Sequence, residues 1–321
     1  MLCNYCEEEL RLLHFLMEGV MSNRFLQSAK KNKADEFYTA YDDIQKEMGY
    51  HEKSFAGKTV YCNCDNPEKS NFRKFFLNNF EQLGLKRLIC TGYNAHGSGY
   101  IAMDAGETKC LQWDGDFRSD ECVKYLQESD IVCTNPPFSL FRDFIAQIME
   151  HKKKFLIIGN QNAIAYKDFF PFLKNNIIWL GASIHSGDRK FYVPQDYPLN
   201  AAGCGIDKDG RKFIRVKGVR WFTNLHYIAQ YNVNLPLAEK YFGNEKKYPK
   251  YDNYDAINID KTKEIPCDYF GEMGVPITFL DKYNPNQFEI IGLSKFVSDR
   301  IHNFMVSGKE KYARIVIKRK K

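Results

Sequence analysis

Apolar positions along the chain fall into short continuous runs separated by amphipathic stretches. Lys58 to Cys64 is rich in β-branched and aromatic residues and reads as a strand, ended by Asp65-Asn66-Pro67. From Asn71 to Leu83 the apolar residues Phe72, Phe75, Phe76, Phe80 and Leu83 recur at helical spacing. Further strands are expected at Gly84 to Thr91, Cys110 to Trp113, Ile131 to Thr134, Lys154 to Ile158, Asn176 to Leu180 and Gly218 to Leu225. Helices are expected at Phe141 to Met149 and Ala163 to Leu173, and a flexible loop or hairpin at Gly92 to Tyr100. Strands and helices alternating from 58 to 180 predict a doubly wound α/β domain.

After about residue 230 helix periodicity fades. Lys246, Lys247 and Lys250 alternate with Tyr248, Tyr251 and Tyr254, and β-rich pieces such as Gly274 to Leu280 follow. The Lys/Tyr mixture suits phosphate neutralisation with stacking, or a solvated linker. At the other end, Met21-Ser-Asn-Arg begins a polar segment with the look of an amino terminus. Met21 is therefore the expected start. The expected organisation is an extension over 1–29, an α/β domain over 30–230 and a recognition region over 231–321.

Charge sharpens this division. The net charge is +6, and residues 309–321 alone hold seven Lys/Arg against Glu310. A basic end fits a polyanionic partner. No window approaches a membrane span, and Glu7, Glu8 and Glu9 sit where a basic leader would be expected, so a cytoplasmic location is read. The 10 cysteines are scattered, and reduced, buried thiols are expected. Cys3 and Cys6 have the spacing of half a zinc site without a second pair, so no metal is expected.

The candidate chemistry centres on Asn135-Pro136-Pro137-Phe138, directly after the strand Ile131 to Thr134. Two prolines forbid the strand's continuation and stiffen the turn. Asn135 then sits at a strand's carboxyl end, where open α/β sheets bind ligands. Its side-chain oxygen and the Pro136 carbonyl can each accept from an exocyclic amino group, while Phe138 stacks on the ring that carries it. Drawing density toward the nitrogen prepares it to attack an electrophilic methyl group without a strong base. The turn Asp65 to Ser70 opens the following helix as a cofactor-binding βα turn would, but without the usual Gly-x-Gly. Asp116 and Phe117 can bracket an adenine or form a plain acidic turn. Thr39 can cap the helix that follows it.

The Asn-Pro-Pro-Phe turn is similar to the signature of amino methyltransferases that use S-adenosylmethionine. The ordered series is more specific. Asp35-Glu-Phe-Tyr-Thr39, Val60 to Asp65, Gly115-Asp-Phe-Arg118, Thr134 to Ser139, Phe155 to Asn160, Trp221 to Leu225 and Thr278 to Pro285 together resemble the EcoRI-type adenine-specific DNA methyltransferase family. The resemblance runs from about residue 30 to the end. It implies a class I, Rossmann-like methyltransferase sheet with a carboxyl-terminal target-recognition region. The implied activity is methyl transfer from S-adenosylmethionine to N6 of adenine in double-stranded DNA, with base flipping. In that reading Asn135, Pro136, Pro137 and Phe138 are catalytic. Asp65, Pro67 and Ser70 line the cofactor site, Asp116 and Phe117 lie near its adenine, and Phe37, Tyr38 and Thr39 lie across it. A cognate restriction endonuclease is an implied associate. Methylation of protein glutamine, RNA adenine or cytosine N4, or an inactive DNA-binding relative, are the alternatives.

Overall fold

The structure, a computed structural model, describes residues 37–185, 187–193, 195, 197, 199, 203–225, 233–297 and 303–321. The expectations about Met21, Cys3 and Cys6, and the basic run at 30–33 lie outside the described residues. In chain order the first elements are β1 (Tyr38–Thr39), α1 (Tyr41–Met48), β2 (Thr59–Cys62), α2 (Asn71–Asn78), α3 (Phe80–Leu83), β3 (Arg87–Gly92), β4 (Tyr100–Met103) and β5 (Lys109–Cys110). Then come α4 (Asp120–Glu128), β6 (Ile131–Thr134), α5 (Phe141–Glu150), β7 (Lys154–Asn160), α6 (Phe170–Lys174) and β8 (Trp179–Leu180). The strands β9 (Asp188–Tyr192), β10 (Gly205–Ile206), β11 (Lys212–Lys217) and β12 (Val219–Thr223) follow.

The chain forms two compact units, the first holding residues up to 163 and 181–225, the second 164–180 and 226–321. Residues 164–180, expected within the α/β domain, thus cluster with the later part of the chain. In the first unit the main sheet runs β5-β4-β3-β2-β6-β7-β12. Its centre, β3-β2-β6-β7, is parallel, and β12 closes it antiparallel to β7. This is the doubly wound α/β arrangement that the alternating strands and helices predict. The central strands are covered on both faces. β2 and β6 are buried along their whole length, as near-continuous apolar runs in parallel sheets must be.

Helix α2 forms because Ser70 caps it, accepting from the Arg73 N–H at 2.9 Å, and because Phe72, Phe75 and Phe76 fall on one buried face. Each of these rings contributes roughly 1.5–3 kcal/mol by leaving water. Gly84, at φ 61°, ends α3 in the left-handed conformation that favours glycine. Phe141, Phe144, Ile145, Ile148 and Met149 line the buried stripe of α5.

The Gly92 to Tyr100 segment is a hairpin connection, as expected, because β4 folds back along β3. Two expectations are corrected. The strand expected at Cys110 to Trp113 is only Lys109–Cys110, and the chain after it is drawn into a loop by the Glu121 carboxylate, which accepts from the Gln112 and Trp113 N–H groups. The helix expected at Ala163 to Leu173 is a 3-10 turn over Gln161–Ala165 and a short helix over Phe170–Lys174, whose start carries Pro171. Cysteines 62, 64, 90, 122 and 133 are buried thiols, whereas Cys110 is exposed.

In the second unit β13 (Ile257–Asn258), β14 (Glu272–Pro276), β15 (Phe288–Leu293) and the terminal strand Arg314–Arg319 form a sheet with that last strand at its centre. The basic end is therefore partly structural. Ile315, Val316 and Ile317 are core, and Arg314 pairs with Asp260 at 3.2 Å. Tyr248 and Tyr251 are likewise buried rather than presented for stacking. No helix among the described residues is long and apolar enough to cross a membrane.

Candidate active site

The chain runs from β2 to β3 on one side of the sheet and later to β6 on β2's other side. The carboxyl ends of β2 and β6 therefore flank a topological switch point, where such sheets bind ligands. The Thr134 hydroxyl donates to the Asn63 carbonyl, tying the two strand ends together. Directly after Thr134, Asn135 is 5% exposed, and Pro136 and Pro137 are buried.

The Asn135 amide is oriented by a second segment. Its Nδ2 donates to the Phe37 carbonyl at 2.6 Å. Its Oδ1 is buried and finds no partner among the described residues. A buried amide oxygen without a donor is costly unless something supplies one. The segment that holds it is itself held: Asn71 Nδ2 donates to the Thr39 carbonyl at 2.7 Å, and β1 pairs antiparallel with β9. Thr39 does not cap α1, because the capping position is Ala40. Its hydroxyl oxygen is buried and without a partner among the described residues, as is Asn63 Oδ1.

Phe138 opens a 3-10 turn over Phe138–Leu140 and stands edge-on to Phe191, with centroids 6.3 Å apart. Phe37 also packs on Phe191, at 6.2 Å, and edge-on to Tyr197 at 6.0 Å. A half-buried aromatic cluster thus stands beside the amide.

The βα turn 63–70 is stabilised by close backbone packing. Asp65 N–H donates to the Thr91 carbonyl at 2.9 Å. A Cβ on Gly92 would stand 2.6 Å from the Asn66 Cα, so β3 supplies the glycine that this turn lacks in its own sequence. Gly115 and Gly99 continue the contact: a Cβ on Gly99 would meet the Gly115 backbone at 2.6 Å, and one on Gly115 would collide with the Gly92 carbonyl. Pro67 is buried within the turn. The Asp65 carboxyl is 5% exposed. Burial raises its pKa to about 8, against the opposing pull of a Ser70 hydrogen bond.

Asp116 and Phe117 lie further from what their residue types suggest. The Asp116 carboxylate is gripped by Arg118, at 2.9 Å and 2.7 Å, and Arg118 also faces Asp143 at 3.5 Å. Phe117 is core, edge-on to Phe144 at 5.1 Å. The Asn94 N–H donates to the Asp114 carbonyl at 2.8 Å, which brings Asp114 to the end of β3. Beside it, Trp113 is 59% exposed.

Sequence reasoning missed Asn63 and Asn71. Both were visible as polar residues flanking the first βα turn, but nothing in the sequence tells an amide that orients backbone from a surface one. It also missed Glu47, fully buried, whose carboxylate accepts from the Ala182 and Ser183 N–H groups at 2.8 and 2.7 Å.

The family profile described as adenine-specific methyltransferase EcoRI matches residues 25–109 and 95–320. The type II methyltransferase M.EcoRI of Escherichia coli is 47% identical, over 94% of this chain and 98% of its own length. The type II methyltransferase M.MpnI of Mycoplasma pneumoniae is 40% identical, over 92% and 98%. M.MgeORF184P of Mycoplasma genitalium is 40% identical, over 91% and 97%. With nearly its whole length matched, the chain belongs to the EcoRI family of adenine-specific methyltransferases.

Proposed function

We propose that this enzyme methylates N6 of one adenine within a fixed sequence of double-stranded DNA, and that Asn135 is the group that receives the adenine's amino hydrogen. S-adenosylmethionine is the methyl donor and supplies the electrophilic methyl group. The type II relatives support a restriction–modification setting. The observation that carries the residue assignment is the buried Asn135 Oδ1, turned away from Phe37 and without a donor among the described residues.

The residues at the strand ends fit this cofactor. It carries an ammonium and a sulfonium, and the turn offers a buried carboxyl, Asp65, with the oxygens of Asn63 and Thr39 without donors among the described residues. In this reading Asp65 and Ser70 hold the cofactor's amino end, Pro67 shapes the turn, and Thr39 covers the opposite side together with Phe37 and the Tyr38 main chain. Asp116 and Phe117 bound the adenine side through backbone and packing. Asp114, at the end of β3 with its Oδ1 accepting from the Asp116 N–H at 3.0 Å, is the acid we place on the ribose side.

The target base is stacked inside the duplex and must be extruded, at a cost of a few kcal/mol. Asn135 Oδ1 and the Pro136 carbonyl then accept from its amino group and keep the nitrogen lone pair directed at the methyl carbon. Phe138 lies against the base, backed by Phe191. Rate acceleration comes chiefly from alignment. Incubating the protein with duplex DNA and methyl-labelled cofactor, then digesting to nucleosides, tests the reading: label must appear in N6-methyl-2′-deoxyadenosine. Label in cytosine or in protein would overturn it.

A further inference from the structure

Strand β9 pairs with β1 on one side and β11 on the other, and β11 with β10. Register fixes which side chains share a face. Tyr38 lies opposite Tyr192, and Tyr192 opposite Phe213; Lys190 lies opposite Arg215, and Asp188 opposite Lys217. Side chains alternate along strands, so these residues form one face. The other face carries Thr39, Phe191 and Ile214, all buried. The first face is an aromatic row, Tyr38–Tyr192–Phe213, bordered by basic rows.

Its cations are spread over the rings. Lys190 Nζ stands 4.2 Å from the Phe213 ring centre and 5.0 Å from that of Tyr192. Arg211 stacks 4.3 Å from Tyr192. At the edge of the face a cavity of about 340 Å³ is lined by Tyr38, Lys69, Asn71, Tyr192 and Arg211, among others. Five basic side chains (Lys69, Lys190, Arg211, Arg215, Lys217) stand against three acids, and three of the five are paired with them: Lys190 with Asp207 at 3.8 Å, Arg211 with Asp207 and Asp209 at 3.0 and 3.1 Å, and Arg215 with Asp188 at 3.7 Å. Positive charge interleaved with aromatic rings complements a sugar–phosphate chain with exposed bases.

We infer that this sheet face is a DNA-contacting surface built into the catalytic unit, taking the backbone of the strand that carries the target adenine, with one nucleotide seated in the Tyr38–Tyr192 cavity. The position is the reason. Tyr38 directly follows Phe37, whose carbonyl holds the Asn135 amide, so the face begins at the β1 edge that holds the Asn135 turn, while Phe138 packs on Phe191 of the opposite face. This rests on the DNA methyltransferase reading above and adds a surface separate from the recognition region expected over 231–321.

The test uses the full chain with Arg211→Gln, Arg215→Glu and Lys217→Glu combined. Melting and S-adenosylmethionine titration control for folding and for the cofactor site. Duplex affinity is measured across salt concentrations. The expected result is a loss of at least tenfold in DNA affinity near 0.1 M salt. The slope of log affinity against log salt should flatten by about 0.9 for each phosphate contact removed, with cofactor affinity unchanged. Unchanged DNA affinity and slope would overturn the inference. So would weakened cofactor binding with DNA binding intact, which would assign the cavity to the cofactor. If the wild-type chain binds and methylates no duplex, the underlying reading fails as well. Wild-type methylation with an unmoved variant slope removes this surface alone.

Discussion

Asn135 Nδ2 donates to the Phe37 carbonyl at 2.6 Å, joining residues 98 positions apart. An amide can present either its oxygen or its nitrogen to a substrate, and only the oxygen accepts from an amino group. The Phe37 carbonyl makes that choice by taking the nitrogen. Asn135→Ala should therefore lower kcat by on the order of 10²–10³, the scale seen when a positioned hydrogen-bonding group is removed from a transition state. Cofactor affinity should change little. Single-turnover kinetics beside cofactor titration check this. Asn135→Asp should also be impaired, because an ionised carboxylate cannot donate to Phe37.

Asn71 acts through the same segment. Its Nδ2 holds the Thr39 carbonyl at 2.7 Å, and loosening Thr39 loosens Phe37. Asn71→Ala should reduce kcat more than it raises the KM for DNA. The side-chain amide resonance of Asn135 should broaden or shift in the variant. An unmoved resonance would reduce Asn71 to a helix-start residue with no positioning role.

Asp65 makes cofactor binding depend on pH. Burial raises its pKa to about 8, so near neutrality the carboxyl is mostly protonated without cofactor. A cationic group bound beside it requires the carboxylate. Affinity for S-adenosylmethionine should rise as pH rises through about 8, with proton release on binding, read as a buffer-dependent calorimetric enthalpy. The sign for folding is opposite. A raised acid pKa means the folded state binds the extra proton, so stability falls as pH climbs from the ordinary value of 3.8 toward 8. Asp65→Asn should thus raise Tm more at pH 9 than at pH 5, while weakening cofactor binding.

Glu47 behaves in the reverse sense. Hydrogen bonds from His51, Ser183 and Ala182 outweigh its burial and lower its pKa. Its contribution is present above the unfolded value of 4.5 and lost as pH falls through the lower folded value. Glu47→Ala leaves the half-buried Ala182 and Ser183 N–H groups without this acceptor and should cost about 1–3 kcal/mol, measured by denaturant unfolding at pH 7.

Much of this was legible in the sequence, for physical reasons that differ by element. The strands Ile131–Thr134 and Lys154–Asn160 were readable because buried parallel strands are apolar runs, and the turn after the first because two prolines permit little else. The Asn135–Phe37 bond was not readable, since it depends on where a segment 98 positions away is laid down. The first βα turn looked deficient because its glycine comes from another strand: Gly92 makes the approach to Asn66. Gly115→Ala should therefore damage that turn from a distance, through both its φ of 79° and its collision with the Gly92 carbonyl. Lower Tm together with weaker cofactor binding is the expected outcome.

Asp116 and Phe117 show the limit of reading residue type. An acid and an aromatic after a strand suggested two side chains facing an adenine, yet Arg118 holds the acid and Phe144 the ring. Arg118 stands two positions on, within the Gly115–Arg118 block, but nothing there shows that it turns back on Asp116; Phe144 is not marked at all, because it belongs to a helix after the Asn135 turn.

The central claim is that Asn135 directs methylation of adenine N6 at one DNA sequence. Single-molecule sequencing of DNA from cells expressing the wild-type chain, compared with Asn135→Ala, tests it most directly. The account predicts N6-methyladenine at one fixed position of a single motif with wild type, and its disappearance with the variant. Methylation persisting in the variant, or no modified adenine from a folded wild-type protein that binds S-adenosylmethionine, would contradict it.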